Sequence, residues 1–224
     1  MPTVPSIPSA PDASDDPARD ASDDLTPDHY FTAVPASAAQ RRQMRVRLGG
    51  RELAVWTAAG LFSSGSVDLG TQVLLRSVPA PPPTGDLLDL GCGWGPVALS
   101  MTLAAPEAQV WAVDVNTRAV DLLRRTAGDL GLDRLRAVTP DEVPAEVRFA
   151  AIWSNPPIRV GKEALHAMLE QWLARLTPDG AAYLVVQRNL GADSLHRWLA
   201  QDQGLPTERA ASAKGFRVLR VSRR

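Results

Sequence analysis

From Asp86 onward the chain alternates short apolar runs with amphipathic stretches, and few folds tolerate that alternation. Leu87-Leu88-Asp89-Leu90, Gln109-Val110-Trp111-Ala112-Val113, Leu135-Arg136-Ala137-Val138, Phe149-Ala150-Ala151-Ile152-Trp153 and Ala181-Ala182-Tyr183-Leu184-Val185-Val186 have the length of buried strands. Helical segments lie between them. Pro96 suits the first turn of a helix running to about residue 105. Asn116 is placed to cap one running to about residue 130. Residues 161–176 put Leu165, Met168, Leu169, Trp172 and Leu176 on one face, and residues 192–202 read as helical. Pro178-Asp179-Gly180 predicts a turn into the strand at 181–186. Strands apolar on both faces need cover on both faces, which predicts a doubly wound, mostly parallel α/β sheet. Runs near 207–211 and 216–221 predict a closing hairpin with antiparallel character.

Upstream the pattern changes. Met44–Leu48 and Glu52–Trp56 alternate with period two around Gly49-Gly50, a hairpin signal. Asp68 stands at an N-cap position ahead of Leu69, Val73 and Leu74. The proline-rich stretch 79–83 ends that helix as a stiff connector. Residues 1–28 hold seven Asp and one Arg, so a net charge of −1 divides into an acidic tail and a mildly basic body. The tail has too few large apolar groups to offset the entropy of ordering and is expected to be disordered. The expected organisation is a tail (1–28), a hairpin and helix extension (29–80) and a main domain (81–224).

Cys92 is the only cysteine, which excludes an internal disulfide and a multi-cysteine metal site. No apolar run approaches the about 20 residues of a membrane span, and no basic-then-apolar leader opens the chain. A cytoplasmic location is expected, with neither membrane nor metal as a partner.

Two motifs carry chemistry. The first strand of the alternating region ends in Gly91-Cys92-Gly93-Trp94-Gly95. Glycines let the backbone approach a ligand, and the helix N-terminus that follows favours a carboxylate or phosphate. The loop is one residue tighter than the dinucleotide fingerprint G-x-G-x-x-G, and Asp89 precedes it. The next strand ends in Asp114, where a carboxylate can accept from the ribose hydroxyls of an adenosine. Cys92 and Trp94 read as local packing, since a nucleophilic Cys92 would need a base that the sequence does not supply.

The second motif is Ser154-Asn155-Pro156-Pro157, after the fourth parallel strand. Pro156 pushes Asn155 out of the helical region. The Asn155 side-chain oxygen and the Pro156 carbonyl then form a fixed pair of acceptors for an NH2 group. Holding both N–H bonds turns the nitrogen lone pair outward, toward an electrophile.

With these segments the chain resembles the class I methyltransferases, specifically the small-domain group that includes ribosomal RNA guanine-N2 methyltransferases. The resemblance covers about residues 28–222. It rests on His29-Tyr30-Phe31, Leu61-Phe62-Ser63, Asp68-Leu69-Gly70-Thr71, the glycine loop, Asp114 and Ser154-Asn155-Pro156-Pro157-Ile158-Arg159. It implies a Rossmann-like, seven-stranded sheet with an antiparallel last strand, S-adenosylmethionine as cofactor and RNA, specifically ribosomal RNA or a ribosomal subunit, as partner. The implied cofactor residues are Asp68, Gly70, Thr71, Asp89, Gly91, Cys92, Gly93, Gly95, Asp114, Val115 and Asp141. Thr139 and Glu142 are alternatives to Asp141 for the adenine amine. Asn155, Pro156 and Pro157 are the implied catalytic segment. Ile158, Arg159, Lys162 and Phe31 are the implied substrate contacts.

Two departures stand out. Many members have Tyr or Phe after the prolines, to stack on the target base; here it is Ile158, which leaves Phe31 and Trp153 as substitutes. Larger members carry a duplicated N-terminal domain, and this chain has a short extension. Arg41, Arg45 and Arg47 form a potential basic stripe. Methylation of a protein glutamine, and a non-catalytic cofactor-binding RNA or assembly module, are the competing functions.

Overall fold

The computed structural model describes residues 41–58 and 66–223. The expected tail, His29-Tyr30-Phe31 and Leu61-Phe62-Ser63 lie outside the described residues.

The first two strands, β1 (Arg41–Leu48) and β2 (Arg51–Ala58), pair antiparallel as a hairpin. Gly49 and Gly50 both have positive φ, as the two-residue turn requires. Helix α1 (Leu69–Ser77) starts at Asp68, whose Oδ1 accepts from the Thr71 N–H at 3.1 Å. The alternation follows: β3 (Asp86–Leu90), α2 (Pro96–Ala104), β4 (Gln109–Val113), α3 (Thr117–Asp129), β5 (Leu135–Val138), β6 (Phe149–Ser154), α4 (Lys162–Leu173) and β7 (Leu176–Gln187). Asn116 caps α3 through the Arg118 N–H. After α5 (Ala192–Arg197), one turn of π-helix leads to β8 (Thr207–Ala213) and β9 (Phe216–Ser222).

The seven strands β3 to β9 form one sheet in the order β5-β4-β3-β6-β7-β9-β8. β3, β4, β5, β6 and β7 are parallel, and β9 runs antiparallel between β7 and β8. Strand order reverses at β3, so the crevice above the carboxyl ends of β3 and β6 is the switch point where such sheets bind ligands.

Alternate residues divide the core in two. Leu87, Val110, Ala112, Trp153, Tyr183 and Val185 face α1, α2, α3 and the hairpin. Leu88, Leu90, Trp111, Ile152, Leu184 and Val186 face α4 and α5. α2 is apolar around its circumference because the sheet covers one side and β1–β2 the other. The hairpin is pinned further by Trp56, whose Nε1 donates to Asp129 at 2.6 Å while Arg125 stacks on its ring at 4.0 Å.

Two local expectations are corrected. The helix expected over 161–176 stops at Leu173, and Leu176 already pairs with Phe149 as the first residue of β7. Pro178-Asp179-Gly180 therefore does not precede the strand. It lies inside β7 as a bulge, between the pairs Phe149–Leu176 and Ala151–Ala181. Sheet pairing on both sides of these three residues overrides their turn preference.

Leu169 is fully buried between α4 and the sheet. Leu169→Ala is expected to cost about 2–5 kcal/mol, read as a lower urea midpoint with an unchanged m-value.

Candidate functional site

Register assembles the site. Leu90 is paired with Val113 on one side and Ser154 on the other, so Gly91, Asp114 and Asn155 emerge at one level. The fully buried Ser154 donates its Oγ hydrogen to the Leu90 carbonyl at 2.7 Å, which ties the two strand ends together.

The glycine loop is supported from below by two carboxylates. Asp89 is buried beneath it, with Oδ2 accepting from the Ala98 N–H at 2.9 Å, which anchors α2 to β3. Burial pushes its carboxyl up to about 8, aided by the neighbouring Asp114 charge and opposed by the Ala98 hydrogen bond. Asp114 braces the loop through Oδ2, which accepts from Gly93 N–H at 2.8 Å, and its own strand end through Oδ1, from Asn116 N–H at 2.9 Å. Burial raises its pKa as well. Each oxygen retains a lone pair for a further donor. Cys92 is buried and its thiol is pushed up by burial, then by the Asp114 and Asp89 charges, so it is a packing residue.

Gly91, Gly93 and Gly95 all have positive φ. A Cβ on Gly93 would meet nothing within 4 Å, so the outer side of the loop is open to a ligand. A Cβ on Gly95 would lie 2.4 Å from Leu123 Cδ1, where α2 and α3 close on each other.

Among the described residues, three large apolar side chains stay exposed at this end of the sheet. The exposed large hydrophobic residues among the described ones are Leu69, Val115 and Leu190, and each follows a strand end or opens α1 at this end of the sheet. Val115, 65% exposed beside Asp114, offers an aliphatic face of the kind an adenine ring covers. Beyond β5, Thr139 donates to Asp141 Oδ1 at 2.6 Å and its N–H to Glu142 Oε2 at 2.7 Å. These hydrogen bonds hold both carboxyls below their ordinary range. Glu142 is also taken up by Arg124, which leaves Asp141 the freer acceptor.

Asn155 is held by α1, a contact with no signal in the local sequence. Its Nδ2 donates to Asp68 Oδ1 at 3.0 Å and to Thr71 Oγ1 at 3.1 Å. A carboxylate only accepts, so the nitrogen must face Asp68 and Oδ1 must face away from it. Gly70 lets the helix approach: a Cβ there would lie 3.3 Å from Asn155 Nδ2 and 2.9 Å from Phe216 Cε1. Asp68, Gly70 and Thr71, expected around a cofactor, therefore also form the seat of Asn155. The Pro156 carbonyl accepts from Ile158 N–H at 2.8 Å in a tight turn and keeps its second lone pair.

Other expected contacts are scattered. Ile158 packs partly against the α4 core. Trp153 is 4% exposed and sunk in the core, so it offers no stacking face. Lys162 is exposed at the start of α4. The Arg159 side chain and Phe31 lie outside the described residues. Arg45 and Arg47 do share a face, along a cleft of about 650 Å³ between the hairpin and α1, and Arg45 pairs with Glu52. Among the described residues no cluster of three metal-ligating side chains occurs, and no helix is long and apolar enough to cross a membrane.

Residues 52–220 match the family described as Methyltransferase small domain. The uncharacterized protein YbxB of Bacillus subtilis is 32% identical over 170 residues, which cover 75% of this chain and 85% of that protein. Ribosomal RNA small subunit methyltransferase C of Stutzerimonas stutzeri is 32% identical over 197 residues, covering 85% of this chain and 57% of that enzyme. The structure of the 16S rRNA N2 G1207 methyltransferase of T. thermophilus, in complex with AdoMet and guanosine, superposes with a TM-score of 0.72 at 26% identity. That match covers 85% of this chain and 52% of the other. The chain thus spans about half the length of the ribosomal RNA methyltransferases it matches.

Two outcomes follow from the loop. Gly95→Ala should lower both the thermal midpoint and ligand affinity at the crevice, because strain at φ +90° adds to the Leu123 collision; calorimetry reads both. For Asp89, the unfolded chain releases its proton near pH 4 and the folded chain near 8. The native state binds more protons in that window, so this residue's contribution makes stability fall as pH rises through it. Asp89→Asn keeps an acceptor for Ala98 and should flatten the slope in urea unfolding between pH 5 and 8. An unchanged slope would assign it to other groups.

Proposed function

The chain belongs to the methyltransferase small-domain family, and we propose that it uses S-adenosylmethionine to methylate the exocyclic N2 amine of a guanine in ribosomal RNA. The observation that carries the acceptor assignment is the fixed Asn155 amide: with Nδ2 occupied by Asp68 and Thr71, Oδ1 is committed to accepting from a substrate N–H. The names of the relatives support ribosomal RNA as the acceptor.

The residues fit the cofactor. The open glycine loop and the N-terminus of α2 suit its amino-acid carboxylate. Asp114 suits the ribose hydroxyls, Val115 the adenine face and Asp141 the adenine amine. When bound, S-adenosylmethionine supplies an electrophilic methyl group on a sulfonium. Asn155 Oδ1 and the Pro156 carbonyl accept the two N–H bonds of the target amine, which turns its lone pair out of conjugation and toward the methyl. Pro157 stiffens the segment so that neither acceptor must reorganise. Asp68 polarises the amide by accepting from Nδ2, which makes Oδ1 a stronger acceptor as positive charge develops on the amine. The proton is released to solvent after transfer, so a strong general base is not needed. Arg159 and Lys162, just past the segment, supply cations for nearby phosphates.

Tritiated-methyl transfer with ribosomal subunits, naked ribosomal RNA and a glutamine-bearing protein as acceptors tests the proposal. Label in RNA at guanine N2 is expected; label confined to protein would replace it with glutamine methylation, and cofactor binding without transfer with a non-catalytic role. Asn155→Ala should reduce transfer by about 100-fold or more with cofactor affinity nearly unchanged. Thr71→Val removes one anchor of the amide while preserving shape, and should lower kcat by about 5- to 10-fold with little change in KM.

A further inference from the structure

Ile158 presents no aromatic face, and Trp153 is buried, so the stacking partner for a target base must come from another element. Phe216 is in position. It is the first residue of β9 and pairs with Gln187, the last residue of β7, at the carboxyl end of the parallel strands. The point that a Gly70 Cβ would occupy lies 2.9 Å from Phe216 Cε1 and 3.3 Å from Asn155 Nδ2. The ring edge and the Asn155 amide are thus separated by no more than the sum of those distances, which sets the ring beside the group that the target amine would meet. Any side chain at position 70 would collide with Phe216. Phe216 is only half-buried, with surface left to cover.

The same corner carries unspent positive charge. Lys214 and Gly215 form the two-residue turn between β8 and β9, both with positive φ, which holds Lys214 at the tip. The Arg188 N–H donates to the Gly215 carbonyl at 2.8 Å, locking the end of β7 to that turn. Arg188 and Lys214 are exposed, and neither is in an ion pair among the described residues. The nearby Asp193 is taken by Arg209 and Arg217, so it does not neutralise them. Leu190, also exposed, lies in the same short turn as Arg188.

We infer that this corner, the end of β7 with the β8–β9 turn, is the docking surface for the target nucleotide. Phe216 stacks on the extruded base, and Arg188 and Lys214 hold phosphates of the single strand on either side. An aromatic face flanked by cations is how proteins grip unpaired nucleotides: stacking accepts any base, and the cations follow the backbone. A glutamine side chain would gain nothing from either element. The inference rests on the RNA reading proposed above and adds where the strand lies.

The test uses the full chain and an unstructured guanine-containing RNA fragment that wild-type protein methylates. Phe216→Leu keeps the apolar filling of the corner but removes the π face; it should raise KM for RNA by about 10-fold or more, with cofactor affinity and thermal midpoint near wild type. Phe216→Trp should restore KM. Arg188→Ala with Lys214→Ala should weaken RNA binding and reduce the slope of log K against log salt by about 1.4 for two lost single-strand phosphate contacts. An unchanged KM in Phe216→Leu, a Phe216→Trp protein no better than the leucine variant, or an unchanged salt slope would each overturn the inference. Failure of wild-type protein to methylate any RNA would instead overturn the acceptor assignment.

Discussion

The pairing of Leu90 with both Val113 and Ser154 is the constraint on which the site depends. Parallel strands in register end at the same height, so three loops from distant parts of the sequence are delivered side by side, close enough for Asp114 to accept from the Gly93 N–H. The Ser154 hydroxyl on the Leu90 carbonyl fixes the central pair. A shift of one residue in β6 would send Asn155 to the opposite face of the sheet and bury it. Precision at the site is thus inherited from backbone hydrogen bonds in the core.

Three carboxylates near the crevice do three different things, and burial decides which. Asp89 is sealed under the loop, holds α2 and, near neutral pH, is largely protonated. Asp114 is slightly exposed, braces the loop and keeps acceptor capacity facing outward. Asp68, at the start of α1, serves the helix and Asn155 with the same oxygen. The chain spends a helix cap on orienting an amide. The helix is held in place for this by its apolar side: Val73 and Leu74 share one core with the sheet, α2 and the hairpin.

Much of this was legible from residue order. The hairpin around Gly49-Gly50, the caps at Asp68 and Asn116, and the strands at 109–113 and 135–138 match the structure because each is governed by local rules of turn, cap or periodicity. The turn expected at Pro178-Asp179-Gly180 does not form, because sheet pairing on both sides outweighs a local three-residue preference. The stacking role considered for Trp153 failed for a related reason: its neighbours on the sheet, not its sequence position, sank it in the core. Phe216 carries no local signal, because its meaning comes from Gly70, far upstream, and from a hairpin that the sequence places only approximately.

The sequence by itself determined that Asp89, the glycine loop and Asp114 would gather at the ends of two strands, and that Asn155-Pro156-Pro157 would stand at a strand end. Those are short-range consequences of strand length, glycine and proline. Only the tertiary structure decided which way the Asn155 amide faces, because that depends on a carboxylate and a hydroxyl brought in by α1. It also decided which glycines are open to a ligand and which are closed by a neighbour: Gly93 faces empty space and Gly95 faces Leu123. Both are questions of what lies across a gap, and residues across a gap are set by sheet order and helix packing rather than by position in the chain.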